Sequence, residues 1–390
     1  MTTREAVGKR RRAISAAVLC AVLVTGCDYN DIDHLYIATG MGVDRGRQGV
    51  RLSMDLVQPG GAGNPATGDS SNAQGNAPDR IVSAEGATFE EAMSTLQAKL
   101  FHALYLQHNA LVLFSEDAVR DFAPIADALE RNRQLRRSQL WVVTPMSAES
   151  VFRESTGQRE PISLVIRDLV DEASRREACL ASDELHVVKA LLRPSGVAPL
   201  AAVDEGPDGL PEIQGLAYLR RDGKLDIVDR AQLLDNAWWL GRTLDVREAV
   251  PWSDGGHRGV IGVHWLRTST RRVVDTSGGS PRLRVVWRGT GEIERWQASE
   301  AMSAEAFTAL ERAIREDVEH RLARALDHVR AVDMDAFGLA NACSEKGIAL
   351  HPGAWKYIPV EYDIEAHLIH GQLAATTPFA RGTEGGAGSS

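Results

Sequence analysis

Cys27 is the residue whose surroundings most clearly prescribe a covalent reaction. It closes the run Leu-Val-Thr-Gly-Cys at 23–27, with two small residues, Thr25 and Gly26, just before the thiol. That arrangement suits transfer of a diacylglycerol to the sulfur as a thioether, then cleavage of the chain before the modified cysteine. The upstream segment agrees. Arg4, Lys9, Arg10, Arg11 and Arg12 form a basic head, and residues 13–25 form an apolar stretch. About a dozen apolar residues make a signal-peptide core and fall short of the ~20 needed to span a bilayer. Residues 1–26 are therefore expected to be a cleaved lipoprotein signal peptide, with Cys27 the lipidated first residue of the mature protein. Two acyl chains hold a protein stably on a membrane, whereas one binds only marginally. The sequence leaves open whether a third chain caps the Cys27 amine.

Other groups are weaker candidates. Asp28, Asp31, Asp33 and His34 have metal-ligating side chains. Ligands strung along a tether rarely converge, so a solvated acidic linker is expected there instead. His102 and His108 flank an apolar segment and read as structural histidines. The chain has no HExxH pair, phosphate-binding loop or Gly-x-Ser-x-Gly elbow. The glycines of residues 60–76 are not followed by a helix start at phosphate-cradling distance. Asp335-x-Phe337-Gly338 spells a kinase-type metal loop, but no other kinase element accompanies it. Trp238 and Trp239 are either core residues or an exposed aromatic anchor for a partner, and burial is the commoner fate. No catalytic, cofactor or metal site is expected, and the chain reads as a non-enzyme.

The chain carries a net charge of -9 over 390 residues. The signal peptide removes five basic residues and one acidic, so the mature chain is near -13. A polyanion of this kind is repelled by nucleic acid and by anionic lipid, neither of which is expected as its main partner. Of the four cysteines, Cys20 leaves with the signal and Cys27 is acylated. Cys179 and Cys343 fall in different expected domains and read as unpaired thiols.

The elements that follow alternate. Residues 35–46 and 49–60 read as two strands around a Gly- and Asp-rich turn, with Val50, Leu52, Met54 and Leu56 on one face. Residues 60–79 are a low-complexity polar stretch that is expected to build no core. A strand at 81–86 precedes a helix opened by Thr88, with Glu91 three positions on as a capping box. Ala92, Met93, Leu96 and Leu100 form its apolar stripe. A buried strand at 109–116, a helix at 117–132 and a strand at 140–145 follow, then helices at 148–154 and 162–181. Residues 194–203 mark a loop and strand closing this unit.

A second region is expected to open at Gly215 with a hairpin turning at Asp222-Gly223. Strands are expected at 259–267, 270–276 and 281–296. A long helix over 304–332, capped by Ser303, carries Phe307, Leu310, Ile314, Val318, Leu322, Leu326 and Val329 on one stripe. An alternating strand follows at 360–375, then a disordered tail. The fold class is thus α/β and α+β, multi-domain. A mixed α/β N-terminal domain over 27–203 precedes a strand-rich α+β C-terminal region over 204–375, which has one long helix and room for two subdomains. Residues 376–390 are the tail.

At this point the residues resemble a known family. Residues 27–46, beginning with the cysteine and continuing through an acidic segment and an apolar strand to Gly42 and Asp44, resemble the start of the Ger(x)C (GerAC-like) spore germination lipoproteins. Residues 82–97, 104–122 and 135–145 continue the likeness in the family's order, and His108 matches a family position. Residues 333–358 resemble its C-terminal mark, with Asp335, Phe337 and Gly338 followed by Trp355 and Lys356. The likeness covers about residues 27–372. It departs where Asp28-Tyr29 replaces the usual Trp-Asp, and where Leu339-Ala340 stands in place of paired glycines.

The resemblance implies the C subunit of a spore germinant receptor: a non-enzymatic, multi-domain lipoprotein on the outer face of the spore inner membrane, required for the germination response to nutrients. Its partners would be the integral-membrane A and B subunits, with the membrane itself reached through the lipid anchor. It implies no cofactor. The alternative is a lipid-anchored solute-binding protein delivering a small molecule to a transporter. That requires paired lobes of similar kind, whereas the two halves here differ in their pattern of strands and helices.

Overall fold

The computed structural model describes residues 34–58, 80–154, 160–175, 179–241, 247–254, 257–296 and 304–370. Cys27, Asp28, Asp31 and Asp33 lie outside these residues, as do the polar stretch 60–79, Ser303 and the C-terminal tail.

The first sheet begins with an antiparallel hairpin, β1 (Leu35–Gly46) and β2 (Gly49–Val57), with β3 (Arg80–Gly86) beside β2. Two strands lie parallel to the other flank of β1. These are β4 (Ala103–Tyr105) against its first residues and β5 (Leu111–Ser115) against its middle. Beyond β5 come β6 (Leu140–Thr144) and β7 (Val197–Glu205), both parallel to their predecessors. Last are the antiparallel β8 (Pro211–Arg220) and β9 (Leu225–Asp229). Every residue of β5 and β6 is buried, as expected for apolar runs in a sheet covered on both faces.

The cover is helical. One face packs on α1 (Phe89–Gln97) and α2 (Phe122–Arg131), the other on α3 (Ala148–Glu154) and α4 (Ile162–Arg175), and α5 (Glu184–Leu191) returns to the first face. The predicted start of α1 is present. Thr88 Oγ1 accepts a hydrogen bond from the Glu91 N–H at 3.2 Å, and Glu91 Oε2 accepts one from the Ala87 N–H at 2.8 Å.

Two expectations are corrected here. The helix at 117–132 is a 3-10 turn, Ala118–Asp121, followed by α2. Pro124 explains the break. Without an N–H it cannot serve a continuous helix, but it is tolerated in the first turn of a new one. The helix expected to run to residue 181 ends at Arg175. By Ser182 the chain is bonded to β6, Trp141 N–H donating to the Ser182 carbonyl at 3.0 Å, and Asp183 then caps α5, which periodicity missed. The Asp222-Gly223 hairpin pairs with the first sheet. Gly223 adopts the expected left-handed φ of 85°, but Val203, just before the expected division, pairs with Ile213 of β8.

After Asp229 the chain enters a four-stranded sheet. Helix α6 (Leu233–Trp239) leads to β10 (Arg247–Asp254), β11 (His257–Asp275) and β12 (Arg282–Trp296), all antiparallel neighbours. The segments 259–267 and 270–276 thus form one long strand, irregular at Trp265/Arg267. The long helix α7 (Ala304–Ala331) and the short α8 (Leu339–Ser344) then make the crossover to β13 (Val360–His370), which lies parallel to β12. The predicted stripe of α7 is the buried one: Leu310, Ile314, Val318, Leu322, Leu326 and Val329 are at most 2% exposed, and Phe307 is half-buried. The apolar cluster beneath α7 also takes in Val197, Leu216, Tyr218 and Val228 of the first sheet. The molecule is therefore mixed α/β, built on two sheets and eight helices among the described residues, with the two sheets sharing a core at one end.

Candidate functional site at the junction of the two sheets

The segment from Asp333 to Asn341 holds the junction together, and it begins where α7 must stop. Asp333 adopts a left-handed φ of 55°. The Met334 N–H reaches the Val329 carbonyl at 2.9 Å, and the Asp333 N–H the Arg330 carbonyl at 3.2 Å. These are the paired bonds of a Schellman ending, which usually takes glycine at this position. Met334 and Val329 are fully buried and supply its apolar contact.

Basic residues from the first sheet meet this negative helix end. Arg220 Nη1 donates to the Asp333 carbonyl at 2.6 Å and lies 3.3 Å from its carboxylate, and Lys224 Nζ donates to the Val332 carbonyl. Lys356 Nζ sits 2.6 Å from the other oxygen of the Asp333 carboxylate. The placement suits the macrodipole of α7. The hydrogen bond from Lys356, with help from Arg220, holds Asp333 below the usual carboxylate range.

Because that pKa is depressed, the stabilisation is complete above the unfolded value, ~3.9, and fades as pH falls through the lower folded one. The carboxylate is 48% exposed, so screening keeps the effect to about 0.5 kcal/mol. Asp333→Asn should therefore cost about 0.5 kcal/mol at pH 7 and less at pH 2. Urea unfolding at both pH values checks this, and an equal loss at both would remove the ion pairs as its cause.

Two residues on, Asp335 is 3% exposed and caps α8, accepting the Leu339 N–H at 2.7 Å and the Ala340 N–H at 2.8 Å. Burial raises its pKa, opposed by those N–H groups and by Arg272. Arg272 donates to the Phe337 carbonyl. The Phe337 ring stacks on Trp239 with centroids 4.7 Å apart and stands edge-on to Tyr218 of β8 at 6.2 Å. Gly338 turns the chain at φ 67°. Asn341 then grips Ser195 of the first unit, accepting its N–H at 2.9 Å and donating to its hydroxyl at 3.0 Å. Trp355 is buried in the same core, and Lys356 forms the ion pair above. The family-like positions Asp335, Phe337, Gly338, Trp355 and Lys356 thus converge on one structural joint.

Beneath the joint lies an aromatic core. Trp238, Trp265 and Trp287 make mutual edge-to-face contacts at 5.1–5.8 Å. Both Trp238 and Trp239 are fully buried, so the exposed-anchor alternative does not hold for this pair. Arg321, which sequence reasoning missed, lies 4.7 Å over the Trp238 ring. It bonds Asp235 at 2.6 Å and Glu248 at 2.8 Å. Burial works against its charge, but Glu248 and Asp235 outweigh burial and raise its pKa. The signal was legible: Arg321 stands between the buried Val318 and Ala325 at helical spacing.

The other family-like motif, Gly42-x-Asp44, also serves as a joint. Asp44 accepts the Ala148 N–H at 2.8 Å, the Glu149 N–H at 2.9 Å and the Ser147 hydroxyl at 3.1 Å, so it caps α3. Asp55 on β2 does the same for α4 through the Ser163 N–H and hydroxyl, at 3.0 and 2.8 Å. Burial raises its pKa against those two bonds. The helices come this close because β1 presents bare backbone: a Cβ on Gly40 would lie 2.1 Å from Ser163 Cβ. Glu149 then links Arg51, Ser83 and Arg153.

The remaining candidates stay apart from this joint. His34 contacts His102 ring to ring at 5.4 Å, and His108 contacts Tyr105 at 5.4 Å. Among the described residues no group of three or more His, Cys, Asp or Glu is placed to hold a metal ion. Cys179 and Cys343 are free and buried. Burial pushes the Cys179 thiol up to about 12 and raises that of Cys343. Such thiols are inert, since the thiolate is the nucleophile. The arrangement joins the two sheets, and the ionisable groups named here are committed to caps and pairs.

Comparison with known proteins agrees with this architecture. A family model described as the spore germination protein N-terminal domain matches residues 28–203. A second, described as spore germination B3/GerAC like, C-terminal, matches residues 214–369. YfkR of Bacillus subtilis (strain 168), assigned by name to spore germination, is 28% identical over 220 residues. That alignment spans 56% of this chain and 56% of YfkR. The crystal structure of the GerBC protein has the same fold, with a TM-score of 0.51 at 17% identity, covering 87% of this chain and all of that one. With both halves matched in order, this chain belongs to the GerAC-like family of spore germination proteins.

Proposed function

We propose that this protein is the lipid-anchored C subunit of a spore germinant receptor, held on the outer face of the spore inner membrane and acting without enzymatic activity. The observation that carries this reading is the pair of family matches, in order, over residues 28–203 and 214–369. The run at 23–27 supports an acyl anchor on Cys27. No helix of the described residues is long and apolar enough to cross a membrane, which fits attachment through that anchor. On this reading its partners are the integral A and B subunits. The anchor keeps the folded units at high effective concentration beside those subunits. The joint at Asp333–Asn341 then carries a change imposed on one unit to the other.

The test is co-purification from detergent-solubilised spore inner membrane, comparing tagged wild type with Cys27→Ala. Wild type is expected to bring down the integral subunits. Losing both acyl chains should lower the membrane-bound fraction of Cys27→Ala at least about tenfold and suppress the germination response. If neither version captures an integral subunit, and a small molecule raises the melting temperature of the purified protein, the solute-binding alternative replaces this reading.

A further inference from the structure

Strands β1, β4, β5 and β6 run parallel, so their N-terminal ends share one edge of the first sheet. The chain from Cys27 also arrives at this edge. His34 follows seven positions later, and seven residues reach at most about 25 Å. An acyl anchor on Cys27 therefore confines this edge to within about 25 Å of the bilayer.

The surface of that edge differs from the rest of the chain. Phe101, in the bend between α1 and β4, is 84% exposed. Lys99 and His102 flank it. No acidic residue occurs between Glu91 and Glu116, nor between Glu130 and Glu149. These two stretches supply the loops leading into β4, β5 and β6. The second contains Arg131, Arg133, Arg136 and Arg137, all exposed. Arg131 pairs with Asp127 and Arg137 with Glu130, whereas Arg133 and Arg136 have no carboxylate partner among the described residues. Asn109 Nδ2 ties the two loops together by donating to Gln139 Oε1 at 2.7 Å. The loops line one cleft with Arg167 and Asp171 of α4.

We propose that this edge is the membrane-facing surface of the protein. Phe101 enters the headgroup region of an anionic phospholipid bilayer, and Arg133 and Arg136 lie over the phosphates. The proposal rests on the reading of Cys27 as the lipid anchor. The chain's negative net charge does not oppose it. With the anchor supplying attachment, charges of the folded units within a Debye length of the bilayer decide which face turns inward, and Asp28, Asp31 and Asp33 on the tether are negative charges beside the membrane whichever face that is. An exposed aromatic ring beside basic residues is the combination that seats a protein at the lipid interface. β1 then rises from the membrane and carries its turn with β2 to the far end, about 40 Å away.

The acylated full-length protein in phosphatidylcholine–phosphatidylglycerol vesicles tests this. Phe101→Cys and Gln48→Cys place a single reactive thiol at the near edge and in the exposed β1–β2 turn, since Cys179 and Cys343 are buried. With an environment-sensitive label, quenching by acyl-chain spin-labelled lipid is expected to be at least about threefold stronger at position 101. Adding Arg133→Glu and Arg136→Glu should shrink that ratio, as should neutral vesicles. Equal quenching at both positions in protein that floats with the vesicles overturns the membrane-facing edge and leaves the anchor standing. Protein that does not float removes the anchor, and this proposal with it.

Discussion

Phe337→Ala is expected to destabilise the folded protein by about 4 kcal/mol. The ring is fully buried and belongs to neither unit alone, stacking on Trp239 while meeting Tyr218 of the first sheet edge-on. Truncating a buried Phe to Ala typically costs 3–5 kcal/mol, and how far the site can collapse sets the value in that range. Collapse is hindered here. Arg272 holds the Phe337 carbonyl, and Asp335 holds the Leu339 and Ala340 N–H groups, so the backbone cannot follow the missing ring. Phe337→Leu, which keeps most of the volume, should cost less than half as much. Urea unfolding followed by tryptophan fluorescence reads the loss, and an unchanged midpoint would mean that the ring does not bridge the sheets. Under the proposed function, the variant should keep its membrane association but weaken the germination response, because the joint between the units has loosened.

Arg321→Met should cost about 3–5 kcal/mol, for a different reason. Methionine keeps most of the alkyl stem packed, so the charge is what is lost. Arg321, Asp235 and Glu248 are only 13%, 11% and 17% exposed, and removing the cation leaves two carboxylates buried without it. Breaking one side of a buried pair is costly because the remaining charge is uncompensated. The pH dependence follows from this. Burial already raises the pKa of Asp235 in the presence of Arg321, and losing the cation raises it further. A carboxyl whose folded pKa exceeds its unfolded value destabilises above the folded value and ceases to do so below the unfolded one, ~3.9. The deficit against wild type should therefore shrink as pH falls from 7 towards 4. Adding Asp235→Asn to Arg321→Met should recover part of the loss, and full additivity of the two would deny that they share one network. A deficit that does not change with pH would mean the carboxylates are solvated.

The paired joints explain why this family-like sequence carries its marked residues where it does. Asp44 on β1 and Asp335 in the turn before α8 do the same work, each a buried carboxylate satisfying the first N–H groups of a short helix. A helix of six or seven residues is marginal alone. The cap that Asp44 supplies from β1 sets the position of α3 against the sheet. Gly40 and Gly42 let the helices approach, and Phe337 seals the second joint.

Much of the framework was legible before any coordinates. The β1–β2 hairpin, the capped start of α1 and the stripe of α7 each rest on period or turn chemistry acting over a few residues. Reading failed where that signal is silent. Helix α6 is buried at every residue from Leu233 to Trp239 and so shows no amphipathic face. Pro124 restarts the helix at Phe122, an effect that apolar periodicity over 117–132 does not register. The Asp222-Gly223 turn identified a hairpin without saying which sheet would receive it.

By itself the sequence determined the mixed α/β class, the family likeness and the order of its local elements, because each of those signals lies within a short stretch of chain. The tertiary structure alone decided what the marked residues touch. The donors to Asp44 are 103, 104 and 105 positions away, Ser163 lies 108 from Asp55, and Asn341 lies 146 from Ser195. No periodicity spans such distances. Packing helices on the first sheet brings the Asp44 and Asp55 groups within hydrogen-bond reach, and packing the two sheets around a shared core does the same for Ser195 and Asn341.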